Sequence, residues 1–219
     1  MKSSILMVLF LGIAHPLSTC FASTLFYARG EVKIDGKSAS KGDPVSVGQV
    51  ITTGVGALAI VDMEGGSKLK VEPQSKVKLK ILNDEKKGSL VDLIAGNIIA
   101  KVRKLKVGKD RFQINAKKAS FAVRGTLFFV GIDQTKKQDD IWMCVEEGEV
   151  AVRGESDKET TGVRAGEGVV VSKSLKTSKP TFFPWTKKIN WEVNETKDIK
   201  DNDGVIEKAY ANPLRRNYD

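Results

Sequence analysis

The run KVKLKIL, residues 76–82, puts Val77, Leu79 and Ile81 on one face of an extended strand and Lys76, Lys78 and Lys80 on the other. Runs of this kind recur from Leu25 to Val171, among them EVKID, ALAIVDM, SKLKVE, SLVDLIA, RFQINA, IWMCVEE, EVAVRG and GEGVVVS, and many end at glycine or proline. No stretch in this region sustains an apolar 3.6-residue period over three turns, so helices are not expected. The pattern predicts an all-β domain with one continuous narrow core. Gly30, Gly36, Gly42, Gly48 and Gly54 fall six residues apart, but the equivalent place before four of them is held by Ile34, Ser40, Ser46 and Thr52 and not by a recurring aliphatic residue. The glycines therefore read as turn residues and not as a hexapeptide repeat.

The first residues, MKSSILMVLFLGIAHPLSTCFA, have the order of a secretory signal: Lys2, an apolar run Ile5–Ala14, a break at Pro16, and Cys20-Phe21-Ala22 as a small-x-small site. The run is too short for a bilayer span, which takes about 20 apolar residues. Residues 1–22 are expected to be a cleaved signal peptide, with export to the periplasm or outside. Thr19 is a poor residue before a lipidated cysteine, so cleavage after Ala22 is favoured over a lipoprotein anchored at Cys20, and no transmembrane helix is expected in the mature chain.

Cleavage would remove the only histidine, His15, and leave Cys144 as the one cysteine. Histidine triads, histidine metal sites and cysteine-rich zinc sites then drop out, and no intramolecular disulfide can form. No cofactor or metal is expected. Signal removal takes one of 36 basic residues and none of 27 acidic ones, leaving a net charge of +8. Such a chain is drawn to anionic partners.

Residues 24–172 form the expected β-domain, and 173–219 an aromatic, then polar, irregular tail. Phe182, Phe183 and Trp185 in that tail read as anchors on the β-domain or as partner contacts. Residues 101–118 concentrate basic side chains, including Lys101, Arg103, Lys104, Lys106, Lys109 and Arg111. With Lys68, Lys70, Lys76, Lys78 and Lys80 they could build one basic face, since lysines two apart in a strand point the same way. An acidic cell-wall polymer, an anionic lipid surface or an envelope protein are the expected partners. Export and the scarcity of interleaved aromatics argue against nucleic acid. The carboxylates Glu146, Glu147 and Glu149 flank Gly148 as in an exposed hairpin turn, and no cleft for paired-carboxylate chemistry is indicated. The chain is read as a non-enzyme.

GEVKIDGK, GDPVSVGQVITTGVGALAIV, GGSKLKVEPQSKVKL, LVDLIAGNIIAKV and, most specifically, FAVRGTLFFV resemble the FecR domain family from about Gly30 to Val171. The resemblance implies an exported all-β domain folded as a twisted β-roll or a solenoid-like stack of short strands. Known members are envelope regulators that join a cytoplasmic anti-sigma region to the β-domain through a spanning helix; here the expected signal peptide takes the place of both. Two readings follow: an envelope binding or scaffolding module that uses a basic face, and a periplasmic sensor module contacting a membrane protein or transporter. Within FAVRGTLFFV, Arg124, Gly125 and Thr126 read as a structural pin. In that reading a buried guanidinium bonds neighbouring carbonyls, and Gly125 admits another backbone. An anionic-ligand contact is the alternative role for Arg124.

Overall fold

The computed structural model describes residues 23–63, 65–84, 88–104, 112–133, 139–172, 174–194, 199–202 and 204–205. The expected signal segment, and Lys106, Lys109 and Arg111, lie outside them. The chain is all-β, as the alternation predicts. It opens with β1 (Ser23–Arg29), β2 (Val32–Ile34), β3 (Lys37–Ser38), β4 (Pro44–Val45) and β5 (Val50–Thr53). There follow β6 (Leu58–Met63), β7 (Ser67–Val71), β8 (Lys76–Asp84), β9 (Gly88–Lys101), β10 (Phe112–Ala116) and β11 (Ala119–Val123). The series closes with β12 (Leu127–Asp133), β13 (Asp140–Glu147), β14 (Glu149–Gly154), β15 (Thr161–Arg164) and β16 (Gly168–Val171).

The long strand β9 organises the fold, because its two halves belong to different layers. Its first half pairs with β8 and, in parallel, with β10; its second half pairs with β7 and β12. One layer runs β4-β1-β6-β7-β9-β12-β13-β16, and the other β3-β2-β5-β8-β9-β10-β11-β14-β15. The switch falls at Gly96, whose φ is +74°. A Cβ there would sit 2.7 Å from the Gln74 carbonyl oxygen and 2.7 Å from the Ser75 Cα, so only glycine fits.

Inward residues of both layers form one continuous core, including Val61, Leu69, Leu79, Val91, Ile98, Ile114, Phe121, Phe128, Val130 and Val152. The outer face of the first layer is covered in turn by the tail. Ile99, Phe129, Trp142 and Cys144 of the sheet pack against Phe183, Trp185, Ile189 and Val193, and Leu58 and Ile60 pack against Ile199. Trp142 and Phe183 meet edge to face with ring centroids 5.5 Å apart, a favoured aromatic geometry. Burial pushes the Cys144 thiol well above its ordinary range.

The covering tail changes the expected basic face. Lys70 points to the same side as Lys68 but is completely buried beneath the tail. Its Nζ donates to the carbonyls of Asn190 (3.1 Å) and Lys200 (2.9 Å) and lies 3.2 Å from the buried Glu72 carboxylate. Glu72 in turn accepts from the Asn202 backbone N–H and side-chain amide at 2.9 and 2.7 Å. Burial pushes the Glu72 carboxyl above its ordinary value, against the opposing pull of Lys70 and Asn202. Lys76, Lys78 and Lys80 lie on β8, in the other layer, so the lysines do not share one face.

Candidate anion-binding cleft

Two stretches far apart in sequence, the basic run and the arginine-glycine-threonine bend, meet in the fold. Val102 continues past the end of β9, and Thr126 precedes β12. Their backbones exchange two hydrogen bonds, 2.7 Å from Val102 N–H to the Thr126 carbonyl and 3.1 Å in return. Gly125 has a φ of +70°, and a Cβ on it would lie 2.7 Å from Lys104 Cγ and 3.2 Å from Lys104 Cα. The close approach expected at Gly125 is therefore met by Lys104.

Arg124 is placed differently from the sequence reading. The chain bends at Arg124 and Gly125 instead of running through as one strand, and the Arg124 side chain is exposed. The expected burial of the Arg124 guanidinium is thus corrected, while Thr126 and Gly125 make the close approaches to Val102 and Lys104. Phe183 and Trp185 are likewise buried, at 1% and 5% exposure, whereas Phe182 is 47% exposed. Of these three aromatics, only Phe182 presents a substantial surface to a partner.

A cleft of about 380 Å³ lies beside the bend, lined by Lys68, Lys101, Arg103, Lys104, Thr126 and Glu147, with Gly66, Gly125 and Asn194 at its edges. Lys101, Arg103 and Lys104 are exposed, and no ion pair engages them among the described residues. Lys68 arrives from β7, where it pairs directly with Lys101 across the β7–β9 ladder. Its Nζ stands 3.6 Å from the centre of the Phe26 ring. The backbone of Arg103 is held by a 3.2 Å bond from its N–H to Ser67 Oγ. Four cations thus face a single carboxylate among the lining residues, an arrangement that attracts anions. The lining includes no histidine or cysteine.

Sequence reasoning identified Lys101, Arg103, Lys104, Gly125 and Thr126 but not their convergence. It also missed Asn194, which the tail contributes, and read Glu147 only as part of the turn between β13 and β14, which brings it to the rim. A larger groove of about 690 Å³ crosses the outer face of the second layer, lined in part by Lys80, Lys117, Lys118 and Arg153. Two of its cations are already committed: Lys80 pairs with Asp92 at 2.7 Å and Lys117 with Asp139. In the smaller cleft none of the four cations is in an ion pair among the described residues.

A family model described as FecR protein matches residues 49–151. No curated protein matches the chain. Two crystal structures of a protein described as an anti-sigma factor from Parabacteroides distasonis ATCC 8503 are similar, each at 16% identity with a TM-score of 0.48. The match covers 58% of this chain and 56% of that one, so the chain spans little more than half the length of its structural relative.

Proposed function

Residues 49–151 form a FecR domain, and on that premise we propose a non-enzymatic envelope module that holds an anionic partner at the cleft beside its arginine-glycine-threonine bend. The observation that carries this reading is the convergence of Lys68, Lys101, Arg103 and Lys104 on one depression. Cations held at fixed positions by strand pairing attract an acidic wall polymer or lipid headgroups without chemistry. The expected signal segment would deliver the domain to such a surface.

Coulombic attraction between exposed charges is screened beyond a Debye length of roughly 8 Å at physiological salt. The exported chain should therefore co-sediment with purified wall or with vesicles containing phosphatidylglycerol, and should release as salt rises. Reversing Arg103 and Lys104 to glutamate should weaken this binding without lowering the melting temperature, since both side chains are exposed. Absence of binding to both surfaces would overturn the proposal. Salt-independent capture of one membrane protein would favour the sensor reading, with Phe182 as the exposed aromatic.

A further inference from the structure

Resting on the reading of the cleft as an anion site, we propose that it receives the phosphoryl group of its partner, with the Thr126 hydroxyl as a specific donor. Thr126 is 2% exposed and lines the cleft, and its Oγ1 has no hydrogen-bond partner among the described residues. A buried hydroxyl left unbonded is unfavourable, and native structures leave few of them without a water or ion. Removing it would relieve the protein; binding an anion would satisfy it.

The lysines give a second, independent sign. Lys68 and Lys101 stand directly opposite each other on β7 and β9, and like charges so placed destabilise a sheet. Asp62 faces Lys68 on its other side, across β6, yet no ion pair joins them among the described residues. The cleft thus brings together an unsatisfied donor and opposed cations. A multiply charged anion relieves both at once.

The shape of the donor set selects the class of anion. Donors come from β7, from the segment after β9 and from the bend before β12, so they surround a ligand from several directions. A tetrahedral group with several oxygens uses such a set more fully than a planar carboxylate. Against Glu147, the four cations leave a net charge that suits a phosphoryl group. The volume sits at the low end of the roughly 300–1,000 Å³ typical of small-molecule sites, which suits one headgroup or ester and not a length of polymer.

The test uses the exported chain with inorganic phosphate, glycerol phosphate and acetate as soluble probes, and phosphatidylglycerol vesicles as the surface. Phosphate or its ester should raise the melting temperature, and acetate at equal ionic strength should not. T126V keeps the shape and every charge, and should lower phosphoryl affinity about tenfold, the scale of one hydrogen bond to a charged group. T126S should retain binding. In the absence of ligand, T126V should melt no lower than the parent, and K101M should melt higher while binding phosphate less well. Binding of soluble esters identifies a soluble source; T126V-sensitive binding to vesicles alone identifies a lipid headgroup. Equal affinity of T126V and the parent for every probe would overturn the phosphoryl site. Salt-sensitive adsorption to vesicles could still persist in that case, so the broader anion-binding reading falls or stands separately.

Discussion

At Gly125 a single missing Cβ permits the contact that joins the basic segment to the bend. Its φ of +70° lies in the left-handed region, which costs about 1–2 kcal/mol for a residue with a Cβ. G125A adds a 3.2 Å approach to the Lys104 Cα, so we expect a loss of at least that size in urea denaturation. R124A should cost less than about 1 kcal/mol, the upper range for an exposed charged side chain. An R124A loss equal to that of G125A would restore the guanidinium as the pin. The reason Arg124 misleads is local: it follows Phe121 and Val123 and precedes Leu127 and Phe128, all buried, so the alternation suggests continuity. The alternation of β11, with Phe121 and Val123 inward and Ala122 outward, already carries Arg124 to the solvent side, and the left-handed glycine then bends the chain.

Among the elements, the tail is fastened by polar groups as well as by aromatics. Lys70 and Glu72 are fully buried on β7 and the turn after it, and between them reach Asn190, Lys200 and Asn202. Leaving one charge of a buried pair alone costs about 3–5 kcal/mol, whereas replacing both by neutral groups is often near neutral. E72Q and K70M should each destabilise strongly, and the double variant K70M/E72Q should lose clearly less than their sum. Strict additivity in denaturant titrations would show that the two charges are not coupled. The clamp was partly legible: SKLKVE places Lys70 and Glu72 on one side of an extended run. Alternation assigns residues to a face but cannot tell whether a distant segment covers that face, so Lys70 reads as a surface lysine. On β8, where no strap intervenes, Val77 and Leu79 are buried and Lys76 and Lys80 exposed, as the pattern predicts.

Where the tail leaves the sheet, Asp157 fastens Thr177. Desolvation pushes the Asp157 carboxyl up, but hydrogen bonds from the Thr177 hydroxyl, Gly154 N–H and Thr177 N–H, with Lys176 nearby, outweigh it and hold it below the ordinary aspartate value. A carboxyl depressed in the folded state stabilises the fold above its unfolded pKa, and that stability is lost as pH falls through the folded value. The urea midpoint should therefore drop in acid from about 3.8 downward, and D157A should flatten that part of the profile while lowering the midpoint at neutral pH. An unchanged acid limb in D157A would assign the loss to other carboxylates.

For the molecule as a whole, the FecR match and the folding unit have different limits. Residues 49–151 omit β1, which pairs with β6, and β16, which pairs with β13. They also omit the tail that covers Ile99, Phe129, Trp142, Leu58 and Ile60. A chain ending at Ser172 keeps every strand but exposes that apolar face, and contiguous apolar surface of this kind promotes association. It also leaves Lys70 and Glu72 without their partners on the tail. We expect residues 23–172 to bind an apolar dye and to sediment as oligomers, where the chain through Asp219 does neither. A peptide of residues 174–219 supplied in trans should suppress both signals, because its contacts are made by docking onto a preformed sheet. A monomeric, dye-silent 23–172 would mean that the outer face is stable uncovered. Truncation is also a poor probe of the cleft, since Asn194 is among its lining residues. Loss of anion binding on truncation would therefore follow from the missing lining residue as well as from the exposed sheet, whereas charge reversal at Arg103 and Lys104 isolates the electrostatics.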